Sequence, residues 1–227
     1  QGVEVIKDYY KEEKIPFEVK KGPWFGTYFH LAKSSNGAVE RIMLAEVDDD
    51  RREIDCTLQA LNTMGQVEQE AHHRADNVEE WIVMVIDQAD AWDCQIVGFI
   101  KKGATSLTDH WVTYVNRAFL LDDLGVMATK TVDAHHRLLY AGQFVDSEAM
   151  CLRDCLRGMK DAHPGYIRKD LTRTLSSCRM NGSFVRSSTL SMFVQQGQIP
   201  QLNADTMMWS LCQYAIDKGL SIRYIPY

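Results

Sequence analysis

Apolar and polar positions change period several times along the chain, and each change predicts an element. Val3, Ile6 and Tyr10 recur at helical spacing among Lys and Glu, which predicts an amphipathic helix over 3 to 14. Residues 26 to 33 and 38 to 47 flank Ser34-Ser35-Asn36-Gly37, whose Asn-Gly is a hairpin signal. Ile54, Leu58 and Leu61 predict a helix over 52 to 63, with Cys56 in its first turn and Gly65 ending it. Asn77 as N-cap with Glu80 three residues on predicts a helix over 78 to 92. Strands are expected at 95 to 100 and 110 to 115, the second pairing with 118 to 121 across Asn116-Arg117.

Residues 126 to 140 read as extended, and Asp146 caps a predicted helix carrying Met150, Leu152, Cys155, Leu156 and Met159, which Pro164-Gly165 breaks. A helix over 166 to 178, a strand over 184 to 194, a helix over 205 to 218 closed by Gly219 and a strand over 220 to 225 complete the reading. Helices and strands mix without a regular βαβ rhythm, which predicts an α+β fold.

Composition narrows the class. The 227 residues, 45% hydrophobic and 25% charged, describe one ordinary globular domain with no low-complexity linker. The net charge is 25 − 31 = −6 with Lys and Arg scattered, so no basic stripe points to nucleic acid as a partner. Six cysteines without disulfide-scaffold or CxxC spacing read as free thiols in a reducing intracellular compartment, such as the cytoplasm. The longest apolar run, Trp81 to Ile86, is far too short to span a membrane, and the N-terminus lacks a signal-peptide layout. The Gln1 start is expected to reflect a processed or trimmed chain.

Chemistry enters at Cys56. A thiol in the first turn of a helix has its thiolate stabilised by the macrodipole, and the unpaired N–H groups there can receive an oxyanion. Asp109-His110-Trp111 opens a predicted strand whose neighbour ends in Leu121-Asp122-Asp123, so a carboxylate stands ready to orient the His110 imidazole. A regular two-residue turn at Asn116-Arg117 pairs His110 with Asp123; a bulge or a three-residue loop brings Asp122 there instead. Ala71-His72-His73-Arg74 recurs as Ala134-His135-His136-Arg137, but adjacent histidines point apart and no metal site is expected. No cofactor motif is found.

The segments DCTLQALN and HWVTYV…FLLDDL resemble the nucleophile helix and histidine strand of papain-like cysteine peptidases of the Josephin deubiquitinase type, and more loosely their viral and ubiquitin-like-processing relatives. The likeness covers roughly residues 54 to 124, with VEEWIVMVIDQADAWDCQIVGFI similar to the helix and strand that precede the histidine. It implies a nucleophile helix packed on an antiparallel sheet, catalytic Cys56, His110 and Asp122, and peptide or isopeptide hydrolysis on a ubiquitin-like protein or polyprotein. Where the family carries an oxyanion glutamine, five residues before the nucleophile, this chain has Arg51. The division expected is a peptidase-like core over 1 to 125 and an α+β extension over 126 to 227, packed as one unit. The rival expectation is a non-catalytic structural or interaction protein of the capsid, matrix or large-assembly kind, which the ten methionines and five tryptophans suit equally well.

Overall fold

The computed structural model describes residues 17–22, 26–31, 39–48, 53–104, 111–135, 137–146, 151–154, 173–197, 199 and 203–225. The elements run β1 (Phe17–Gly22), β2 (Gly26–Leu31), β3 (Arg41–Asp48), β4 (Ile54–Asn62), β5 (Val67–Ala75), α1 (Val78–Ala91), β6 (Ile96–Lys101) and α2 (Trp111–Ala118). They continue with β7 (Leu124–Ala128), β8 (Thr131–Val132), β9 (Leu138–Tyr140), β10 (Gln143–Asp146), β11 (Cys151–Asp154) and β12 (Arg173–Thr174), then β13 (Ser183–Arg186), α3 (Ser187–Gln195), α4 (Ala204–Asp217) and β14 (Ser221–Tyr224). The chain is α+β.

Eight strands form one mixed sheet in the order β12-β14-β7-β13-β6-β3-β4-β5. β3 pairs parallel with β6, and β7 parallel with β14; the other neighbours are antiparallel. The parallel β3–β6 pair needs a crossover, which the β4–β5 hairpin and α1 supply. The expected purely antiparallel sheet is therefore corrected to a mixed one.

Alternation along the strands feeds two cores. Met43, Ala45 and Val47 of β3 and Cys56, Leu58 and Ala60 of β4 face α1, α3 and α4, meeting Trp81, Val85, Leu190, Met208 and Leu211. The opposite face carries Ile42, Ile96, Met127 and Phe184, covered by Val112, Val115 and Ala118 of α2. Trp81 and Phe99 meet edge to face at 5.5 Å in the first core.

The helix expected at 52 to 63 is β4. Ile54, Cys56, Leu58 and Ala60 are buried while Asp55, Thr57 and Gln59 between them are half-exposed, a period of two that outweighs the coincidental helical spacing of 54, 58 and 61. The strand expected from 110 is α2 from Trp111, because Val112, Val115 and Ala118 fall on one helical face although the two valines are β-branched. Among the described residues the strands flanking Asn36-Gly37 do not pair with each other as predicted: β2 pairs with β1, and β3 lies between β4 and β6. Within the predicted helix beginning at Asp146, Cys151–Asp154 is instead strand β11, paired antiparallel with β10. The predicted strand 184 to 194 stops at Arg186, since Thr189, Leu190 and Phe193 take helical spacing against the core.

At the end of the predicted helix 166 to 178 stand β12 and the bridge between Ser177 and Gln143; the remainder lies outside the described residues, as do the predicted helix 3 to 14 and His110. α1, with Asn77 accepting from the Glu80 N–H, and the α4–Gly219–β14 sequence follow the expected pattern. The expected boundary at 125/126 falls inside β7, and β13 from the second half sits between β6 and β7. Strands of both halves thus interleave in one sheet.

Candidate site around Cys56

The register fixes what Cys56 can meet. On β4 it stands directly opposite Val47 of β3 and His73 of β5, and paired residues share a face. That face is the one covered by α1, so the thiol is 3% exposed and lies against Trp81. The Trp81 indole N–H has no acceptor of good geometry. It is turned to the sulfur closely enough to favour the thiolate slightly.

Burial dominates, however, and with a smaller push from the Glu46 carboxylate it takes the Cys56 thiol up to about 11. The expected helix N-terminus, with its dipole and N–H groups, is absent at this position because the backbone is a strand whose amides are committed to the ladders with β3 and β5.

His73 opposite Cys56 is the juxtaposition that residue order concealed. Its Nε2 lies 3.2 Å from Gln88 Oε1 on α1, which fixes the ring, and no hydrogen bond joins it to the thiol. On the other face, His72 Nδ1 lies 3.0 Å from Thr57 Oγ1, and His72 Nε2 lies 3.3 Å from Glu70. A cavity of about 280 Å³ is bounded by Glu46, Asp55, Cys56, Thr57, His72, His73 and Lys102. Strand alternation is the sequence signal that could have found the Cys56–His73 pairing, once 54 to 62 and 67 to 75 are read as a hairpin about Gly65.

Asp122 and Asp123 lie elsewhere, in the turn between α2 and β7. The charge of Asp122 favours the guanidinium of Arg186. Asp123 accepts from Arg223 Nη2 at 2.8 Å, and its carbonyl accepts from the Ser221 N–H at 2.6 Å. From β4 to β7 the sheet counts four strand spacings, roughly 19 Å. The structure therefore brings Cys56 to His73 and leaves both aspartates at a distance no single imidazole bridges. Asp122 and Asp123 serve the α2–β7 turn and its two arginines.

The other thiols among the described side chains, Cys94, Cys178 and Cys212, are structural in setting. Cys94 is buried, which raises its thiol to about 11. Cys178 and Cys212 are both fully buried, with their sulfurs in hydrogen-bond contact at 3.5 Å. Among the described residues no group of three or more His, Cys, Asp or Glu side chains has the geometry to hold a metal ion, and no helix is long and apolar enough to cross a membrane.

No protein-family model matches the chain, and no curated protein matches it in sequence.

Proposed function

We propose that this chain is a non-catalytic interaction protein, a subunit of a larger assembly, and that its cysteines serve packing. The setting of Cys56 carries the reading. A nucleophilic cysteine needs a depressed pKa and access, whereas this thiol is buried on a strand and pushed up to about 11. An interaction role is supported by the open side of β3, β4 and β5, where Glu46, Asp48, Asp55, Thr57 and Gln59 stand half-exposed and, among the described residues, no helix of the second core lies over them. Its partner is then a protein, met through polar and charged side chains.

The second reading is a thiol peptidase of papain-like architecture, Josephin-type, acting on a ubiquitin-like protein or polyprotein. One observation favours it: the Cys56–His73 pair across the β4–β5 ladder, with Gln88 holding the imidazole. In that mechanism His73 would take the part first assigned to His110.

Competitive alkylation with iodoacetamide at pH 6, read by mass spectrometry at each cysteine, decides between them. The interaction reading expects Cys56 to label no faster than Cys94. Labelling of Cys56 orders of magnitude ahead of the other thiols would overturn it and restore the peptidase.

A further inference from the structure

Among the described residues the main sheet ends at β5, nine residues long and paired there on one side only, with the two-residue β12 at the opposite end. A long open edge offers unpaired N–H and C=O groups to another strand. The sequence of this edge, Val67-Glu68-Gln69-Glu70-Ala71-His72-His73-Arg74-Ala75, is acidic before Ala71 and basic after it. We propose that β5 pairs antiparallel with β5 of a second copy about a two-fold axis at Ala71, joining two sheets into one.

The register follows from charge. A two-fold axis perpendicular to the sheet lets only same-face residues oppose each other. With the axis at Ala71, Glu70 opposes His72 of the second copy, Glu68 opposes Arg74, and Gln69 opposes His73; each contact occurs twice by symmetry. Moving the axis by one residue sets Glu70 against Glu70 or His72 against His72, where like groups meet.

These side chains are available. Glu68, Glu70, His72 and Arg74 are 37%, 44%, 71% and 61% exposed, and their partners within the chain (Arg41, Gln59, Thr57, Glu53 and Asp55) all lie at the surface. The ladder with β4 is regular from Gln69 to Ala75 and bulges at Glu68, whose carboxylate reaches Arg41 at 3.2 Å.

A second feature favours a copy of this chain as occupant. Beside the edge runs a groove of about 600 Å³ whose α1 wall presents Glu80, Val83, Met84 and Asp87, with Val83 40% exposed. Two-fold pairing of β5 brings the two α1 helices together antiparallel on one side of the joined sheet, where Val83 and Met84 of the two copies face each other.

Sedimentation equilibrium and light scattering of the whole chain test this. Wild type is expected at twice the chain mass at micromolar concentration, with amide exchange of 67 to 75 slowing as concentration rises. Glu68→Lys with Glu70→Lys, and separately His72→Glu with Arg74→Glu, are each expected to be monomeric, because position 68 then meets 74, and 70 meets 72, with side chains of the same kind, basic in the first variant and acidic in the second. Mixing the two variants sets basic against acidic side chains again wherever 68 meets 74 and 70 meets 72, and is expected to give a heterodimer. A monomeric wild type would overturn the proposal, and so would an oligomer that both variants leave intact. A wild-type edge that binds only an extended basic peptide from another protein would overturn the choice of occupant.

Discussion

At the residue scale, the informative side chain is Cys56, because its ionisation is tied to folding. Its folded pKa of about 11 lies above the ordinary thiol value of 9.0, so the folded state holds the proton more tightly than the unfolded one. The contribution is fully present below pH 9 and is lost as pH rises from 9 to about 11. Two units correspond to roughly 2 to 3 kcal/mol at most. Urea denaturation at pH 7.5 and pH 10.5 should show wild type losing more stability than Cys56→Ala over that interval; equal losses would mean that the thiol is not buried in solution. At pH 7.5 the same Cys56→Ala change should cost about 1 to 2 kcal/mol through the small cavity it leaves. The paired aspartates behave differently: Asp123→Ala removes the carboxylate beside the 4%-exposed Arg223 and should cost about 1 to 3 kcal/mol, whereas exposed Asp122→Ala should cost less.

At the element scale, each strand carries its own alternation, and the close contacts between strands are where substitutions register. Gly98 of β6 lies opposite Phe184 of β13, and a Cβ there would meet the phenyl ring at 2.4 Å and Leu44 at 2.9 Å. The ring fills the space that a side chain would take. Gly98→Ala should therefore destabilise by about 1 to 3 kcal/mol, read as a lowered denaturation midpoint, although alanine suits a strand no worse than glycine. α1 depends on its cap: Asn77 Oδ1 accepts from the Glu80 N–H at 2.9 Å, while the Glu80 carboxylate accepts from the Asp76 N–H at 2.9 Å. Asn77→Ala should cost about 1 kcal/mol, with Asn77→Asp close to neutral. This capping pattern was legible in the residues themselves, since a cap is a contact between neighbours three apart. The β4 strand was legible too, but only to a count of period two; Ile54, Leu58 and Leu61 satisfy a helical count as well, and two periods competed over nine residues.

At the scale of the whole molecule, one sheet is assembled from strands far apart in sequence. Arg186 at the end of β13 donates to the carbonyls of Phe119 and Leu121 at 2.8 Å and of Leu124 at 3.2 Å, with its guanidinium 5.4 Å from the Phe119 ring. One side chain thereby holds the α2–β7 turn against the strand inserted beside β7. Because β13 covers the edge of β6, a fragment ending at residue 125 would leave the buried Ile96, Val97 and Phe99 without their neighbours. Such a fragment should show no cooperative thermal transition by circular dichroism, whereas the whole chain should unfold in one. A cooperative transition in the fragment would establish the first half as a domain in its own right.

What the residues alone determined is local: the α+β mixture, the capped α1 helix, β6, and the α4–Gly219–β14 ending, each specified by contacts within a few positions. What only the tertiary structure decided is pairing. That β3 leaves its expected hairpin partner for β4 and β6, that β13 enters between β6 and β7, and that Cys56 meets His73 while Asp122 stands about four strands away depend on burying two faces of one sheet at once. That is a property of the whole chain's apolar surface, and a short window of sequence does not contain it.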